Sequence, residues 1–201
     1  MKVEGRVGEI SAAEGTLNPL RTLGDGSLVI AQSASKYAEA ARAGRLFYAA
    51  NQTPISTSTT LNTTFVGLAL CNPTGSGKIL ILHEFGYAIV KAAAGEGALA
   101  LAETDETGFA AAITPVCTRH GYASSVAYVD NGATITAPVI VKMIATIGQG
   151  ADTTQLMPPF TLVDLGGSIV LDPGRAIVTD TTVAAGATTI QFSYMWEEIV
   201  E

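Results

Sequence analysis

Residues 67–90 read Gly67-Leu68-Ala69-Leu70-Cys71-Asn72-Pro73-Thr74-Gly75-Ser76-Gly77-Lys78-Ile79-Leu80-Ile81-Leu82-His83-Glu84-Phe85-Gly86-Tyr87-Ala88-Ile89-Val90. Two apolar runs flank a turn whose end, Gly-Ser-Gly-Lys, imitates a nucleotide-binding loop. That loop needs Gly-x-x-x-x-Gly-Lys-Ser/Thr between a strand and a helix, so that amides and the Lys hold phosphates and the hydroxyl holds magnesium. Here Asn72 stands at the first Gly and Ile79 at the Ser/Thr. The residues after Lys78 are branched and apolar, which suits a strand rather than a polar-faced helix. The stretch therefore reads as a Pro-Gly-Gly turn between two strands. In the second strand, strict alternation places Ile79, Ile81, Phe85 and Tyr87 on one face, with His83 among them. Leu80, Leu82, Ala88 and Val90 fall on the other. Both faces are apolar, so both are expected to be buried.

The same grammar extends outward. Ala187 to Glu197 alternates, with Ile190, Phe192, Tyr194 and Trp196 inward and Gln191, Ser193 and Glu197 outward, as a half-buried strand does. Gly167 to Leu171 and Arg175 to Thr179 flank the turn Asp172-Pro173-Gly174. Asp130-Asn131-Gly132 between the apolar strands Ser124 to Val129 and Ala133 to Ile147 predicts a hairpin, because Asn and Gly tolerate positive φ. Arg45 to Ala50, Phe65 to Asn72, Gly97 to Glu103 and Ala110 to Arg119 are further strands, the last demoted to an edge by Pro115. Ser27 to Ile30 reads as a short strand and Gln149 to Pro159 as a loop. One short helix is expected over Ser33 to Ala43, with Glu39 and Arg42 one turn apart and Gly44 at its end. Short strands joined by Gly/Pro turns, without βαβ alternation, predict an all-β, jelly-roll-like β-sandwich over 27–201. Residues 1–26 are Gly-rich and aperiodic, either a mobile leader or an extended N-terminal arm ordered by a neighbour.

Composition narrows the function. Only 14% of the 201 residues are charged and 48% are hydrophobic, which points to a surface partly covered by neighbours. The net charge is −7 and no Lys/Arg cluster exists, so direct nucleic-acid binding is not expected. No apolar run is long enough for a membrane helix, and no apolar signal segment opens the chain, so assembly in a cytoplasm is expected. Cys71 and Cys117 lack metal-ligand spacing and sit in apolar runs. His83 and Glu84 are neighbours that point to opposite faces of a strand and cannot act together. With His120 there are two histidines, too few for a metal-binding barrel of the cupin type. The acidic groups Glu103-Thr104-Asp105-Glu106 and Glu197-Glu198 read as a solvated loop and a solvated strand end. Phe192, Tyr194 and Trp196 are either a sugar platform or, at period two, a core or subunit contact.

Three blocks carry a resemblance. They are Gly26-Ser27-Leu28-Val29-Ile30 with Lys36-Tyr37-Ala38-Glu39 and Gly44-Arg45-Leu46-Phe47; Gly67 to Lys78; and Leu171-Asp172-Pro173-Gly174 with Phe192-Ser193-Tyr194-Met195-Trp196-Glu197-Glu198. Together they make the chain similar to virion proteins of tailed bacteriophages. The resemblance implies a non-enzymatic jelly-roll component of the particle, foremost a capsid decoration or cement protein. The implied partners are the major capsid protein and, as a homotrimer, its own copies. A carbohydrate-binding head-fibre or tail-adaptor module is the alternative, and a cupin-type metalloenzyme is less favoured. No catalytic residue, cofactor or metal is assigned. The interface candidates are Leu80, Leu82, Phe85, Tyr87, Tyr194 and Trp196.

Overall fold

The computed structural model describes residues 36–56, 67–90, 97–133, 135, 138–147, 161–181 and 190–201. The chain divides into two units, Met1–Ala38 and Glu39–Glu201. The expected arm, the strand at Ser27 to Ile30 and the loop at Gln149 to Pro159 lie outside the described residues.

The described chain is mostly strand. A single short helix, α1 (Ala38–Arg42), precedes β1 (Leu46–Ala50), β2 (Ala69–Asn72), β3 (Lys78–Ile89), β4 (Gly97–Asp105), β5 (Val116–Cys117), β6 (Tyr128–Asp130), β7 (Val139–Ile147), β8 (Thr161–Leu171), β9 (Arg175–Thr181) and β10 (Ile190–Val200). They form two antiparallel sheets, ordered β5-β1-β10-β3-β8 and β6-β2-β9-β4-β7. Without β5 and β6, the orders are 1-10-3-8 and 2-9-4-7. Consecutive strands alternate between sheets, except that the β5–β6 insertion lies between β4 and β7 of one sheet. This is the jelly-roll wrapping, in which the first strand pairs with the last and each inner pair nests within it.

The turns do what Pro and Gly favour, but they cross between sheets. Asn72 to Lys78 carries the chain from β2 in one sheet to β3 in the other, and Asp172 to Gly174 carries it from β8 to β9. Neither is a hairpin. The Asn131-Gly132 hairpin is likewise corrected. Tyr128 pairs with Cys71 on β2, whereas Val139 to Ile147 pairs with β4. Asp130 still shapes the turn, since its Oδ1 accepts the amides of Asn131 and Gly132, and its Oδ2 ties the turn to Ala110 by accepting that amide.

The core lies between the inner faces. Ile190, Phe192, Tyr194 and Trp196 alternate inward along β10, as the periodicity predicts. Phe85 meets Tyr194 at 5.4 Å and Phe192 at 5.9 Å between ring centroids, and Phe47 stacks on Trp196 at 6.2 Å. Tyr194 donates its hydroxyl across to the Leu68 carbonyl at 3.1 Å, so the aromatic ladder also carries a polar tie between the sheets.

The expected division of β3 into two faces is corrected. Trp196 pairs with Leu82 and Met195 with Glu84, so His83 is an extra residue, a β-bulge. A bulge resets the alternation. Leu80 and Leu82 before it, and Phe85 and Tyr87 after it, therefore all face the core. On the other side, Leu82 pairs with Ile169 and Glu84 with Asp164, so Leu165 to Ser168 of β8 face the single residue His83 in a wide bulge. Gly166 and Gly167 take φ of 59° and 75° there, a conformation open to Gly without a Cβ penalty.

The β5–β6 insertion closes one flank. β5 adds to β1 and β6 adds to β2, so one connection edges both sheets. Phe109 and Ile135 cover the outer side of β2, β4 and β9 over Ala69, Ala102 and Val178. Helix α1 abuts the insertion, where Arg119 Nη1 donates to Arg42 O, and Gly44, two residues past its last residue, takes φ of 70°. The Gly44 amide bonds to Ala41 O and the Arg45 amide to Ala40 O. A Cβ on Gly44 would lie 2.0 Å from Tyr122 Cδ1, and Arg119 stacks on that ring at 3.9 Å. Gly44→Ala is expected to cost about 1–2 kcal/mol in urea unfolding, through positive-φ strain and displacement of Tyr122.

Cys71 and Cys117 are free and buried, on strands of different sheets. Burial, with a smaller contribution from Glu106, pushes the Cys71 thiol from 9.0 up to about 12. Burial likewise lifts the Tyr194 phenol well above its usual 10.0. Both groups stay protonated when folded but release protons more readily when unfolded, so above pH 9 the unfolded state gains. The unfolding midpoint is expected to hold steady from neutral pH to about pH 9 and to fall as pH rises toward 12. Midpoints measured across that range check this.

Candidate functional site

Three surfaces qualify as functional: the loop that imitates a nucleotide site, the polar cluster at the end of β10, and the apolar edge strand β7.

In the loop, Asn72 earns its place by holding both ends of the turn. Its side chain is fully buried, and its Nδ2 donates to Lys78 O at 2.7 Å and Leu171 O at 2.9 Å. Glycine could make neither bond. Gly75 and Gly77 carry φ of 77° and 65°, and Ser76 Oγ bonds back to Lys78 O at 3.1 Å. Two groups that a bound phosphate would need are engaged within the chain. The Thr74 amide donates to Glu106 Oε2 at 2.5 Å, and Lys78 Nζ sits 2.8 Å from Glu198 Oε2. Lys78 opens a strand of twelve residues, so no helix dipole faces the loop. ATP with magnesium is expected to leave the melting temperature unchanged.

Glu198 is a buried polar side chain held by several donors at once. The expected solvated strand end is corrected at this residue: its side chain is 1% exposed. It takes the next inward step after Trp196, so the alternation 190, 192, 194, 196 already pointed to it. Burying a carboxylate is tolerable only when donors surround it. Besides Lys78, Glu198 accepts from the Ser125 hydroxyl, the Val126 amide at 3.1 Å and Trp196 Nε1 at 3.4 Å. It thereby fastens the insertion to the end of β10. Glu197, on the outer face, bonds Arg45 Nε at 2.9 Å and approaches His83 Nε2 at 3.4 Å.

The second acidic group is also structural. Glu103 and Asp105 both pair with Arg175 across the β4–β9 ladder, Thr104 is buried, and Glu106 holds the Thr74 loop. Only part of this group is the solvated loop expected.

The six interface candidates all lie in the intersheet core of a single chain. Leu80, Leu82, Phe85, Tyr87, Tyr194 and Trp196 are covered by their own fold. A contact with a neighbour has to use other residues, and the sugar platform of Phe192, Tyr194 and Trp196 is overturned by the same burial. His83 is held in β3 beside Glu197, whereas His120 is exposed in the turn after β5. Among the described residues, no three His, Cys, Asp or Glu side chains gather as a metal-ion site.

The exposed apolar residues concentrate elsewhere. Val139 is 64% exposed, Met143 58%, and Ile140 and Val141 lie between them at 43% and 46%. These residues form the first half of β7, at the edge of its sheet. Successive exposed residues on a regular strand would point to opposite faces, but β7 is bulged twice. Its pairing with β4 skips Val141 and Ile144. Ile140 and Met143 consequently pair with Ala102 and Ala100, and the strand twists away from a flat ladder. Bulges and Lys142 blunt the edge against indiscriminate pairing, while the apolar side chains stay available. Sequence reading recognised this segment as a strand but not its exposure, because an unalternating apolar run ordinarily means burial on both faces.

Comparison with family models, with curated proteins and with solved structures finds no match to this chain.

Proposed function

We propose that this chain is a non-enzymatic structural component of a tailed-bacteriophage virion, a jelly-roll protein that cements or decorates the capsid. The observation that carries the reading is the jelly-roll strand order, 1-10-3-8 over 2-9-4-7, an architecture shared by viral capsid proteins, lectins and cupins. Two further observations favour the structural member of that set. The aromatic run Phe192, Tyr194 and Trp196, which could have offered a sugar platform, is consumed by the core. In the loop that imitates a nucleotide site, Lys78 is engaged by Glu198 and the Thr74 amide by Glu106.

The neighbour, the major capsid protein in this reading, binds through β7. Val139, Ile140, Val141 and Met143 are about half exposed, and covering them stabilises a joint by on the order of 1 kcal/mol each. Repeated over every copy, that contact resists forces that pull capsid subunits apart.

The test is quantitative mass spectrometry of particles purified from the source phage. Many copies per particle are expected; a few copies would favour a tail adaptor or head fibre, and absence from the particle would overturn the reading. A second measurement addresses the contact. Val139→Lys with Met143→Lys is expected to leave the unfolding midpoint within about 0.5 kcal/mol of wild type, since both sites are exposed. The same pair should lower occupancy on particles severalfold. Undiminished occupancy would remove β7 from the contact.

A further inference from the structure

We draw no further inference here: the strongest candidate, the exposed apolar run Val139, Ile140, Val141 and Met143 on the twice-bulged edge strand β7, already carries the proposed neighbour contact, and nothing in the structure shows what else covers it.

Discussion

Trp196→Ala is expected to destabilise the fold by about 3–5 kcal/mol, read as a lower midpoint in urea unfolding at constant slope. Trp196 is fully buried, stacks on Phe47 and pairs with Leu82 at the register shift in β3 and β10. Truncation removes a large apolar volume from the middle of a sheet whose neighbours are fixed by hydrogen bonds, so the space cannot collapse. It also removes the indole N–H from Glu198. Trp196→Phe separates these contributions. It keeps the larger part of the ring volume while removing the donor, so a smaller cost of roughly 1–2 kcal/mol is expected. An unchanged midpoint for Trp196→Ala would show that the ring is not a core residue.

The second large effect belongs to Glu198. Glu198→Ala is expected to cost about 3 kcal/mol, because it strands several donors at once: the Ser125 hydroxyl, the Val126 amide and the indole of Trp196. Lys78 contributes less to this loss, since its side chain is 31% exposed and regains water. Lys78→Met is accordingly the milder change, expected near 1–2 kcal/mol, with the carboxylate still held by its neutral donors. Hydrogen exchange adds a local readout. Glu198→Ala should raise exchange at the Val126 and Ala127 amides more than in the middle of β10, because the insertion loses its fastening while the ladder with β3 persists. Equal effects of the two substitutions would mean that the ion pair, rather than the full donor set, holds the site.

Much of the fold was legible locally. The alternation from Ile190 to Trp196 announced a half-buried strand; its next inward step is Glu198, although the acidic pair Glu197-Glu198 read as a solvated strand end. Gly44 ended the helix where expected, and the Gly75, Gly77 and Gly174 turns lie where the residue types put them. The departure of the 72–78 loop from a nucleotide site was also visible, in Asn72 and Ile79. Other features were illegible for a definite reason. The bulge at His83 has no Gly or Pro of its own to announce it. It accompanies Leu165 to Ser168, about eighty residues away in sequence, where the two left-handed glycines lie. The Asn131-Gly132 hairpin obeyed every local rule and still did not form, because Tyr128 and Val139 find their partners on β2 and β4.

The sequence by itself determined strands, turns and the inward residues of β10, because period-two patterning and positive-φ preferences act over a few neighbouring residues. Tertiary structure alone decided which strands pair, where the register slips and which apolar residues stay outside. Leu80 and Val139 look alike as β-strand apolar residues, yet one is fully buried in the core and the other is exposed on an edge. What separates them is the position of each strand in its sheet, which is set by long-range pairing and by the core volume that both sheets must fill.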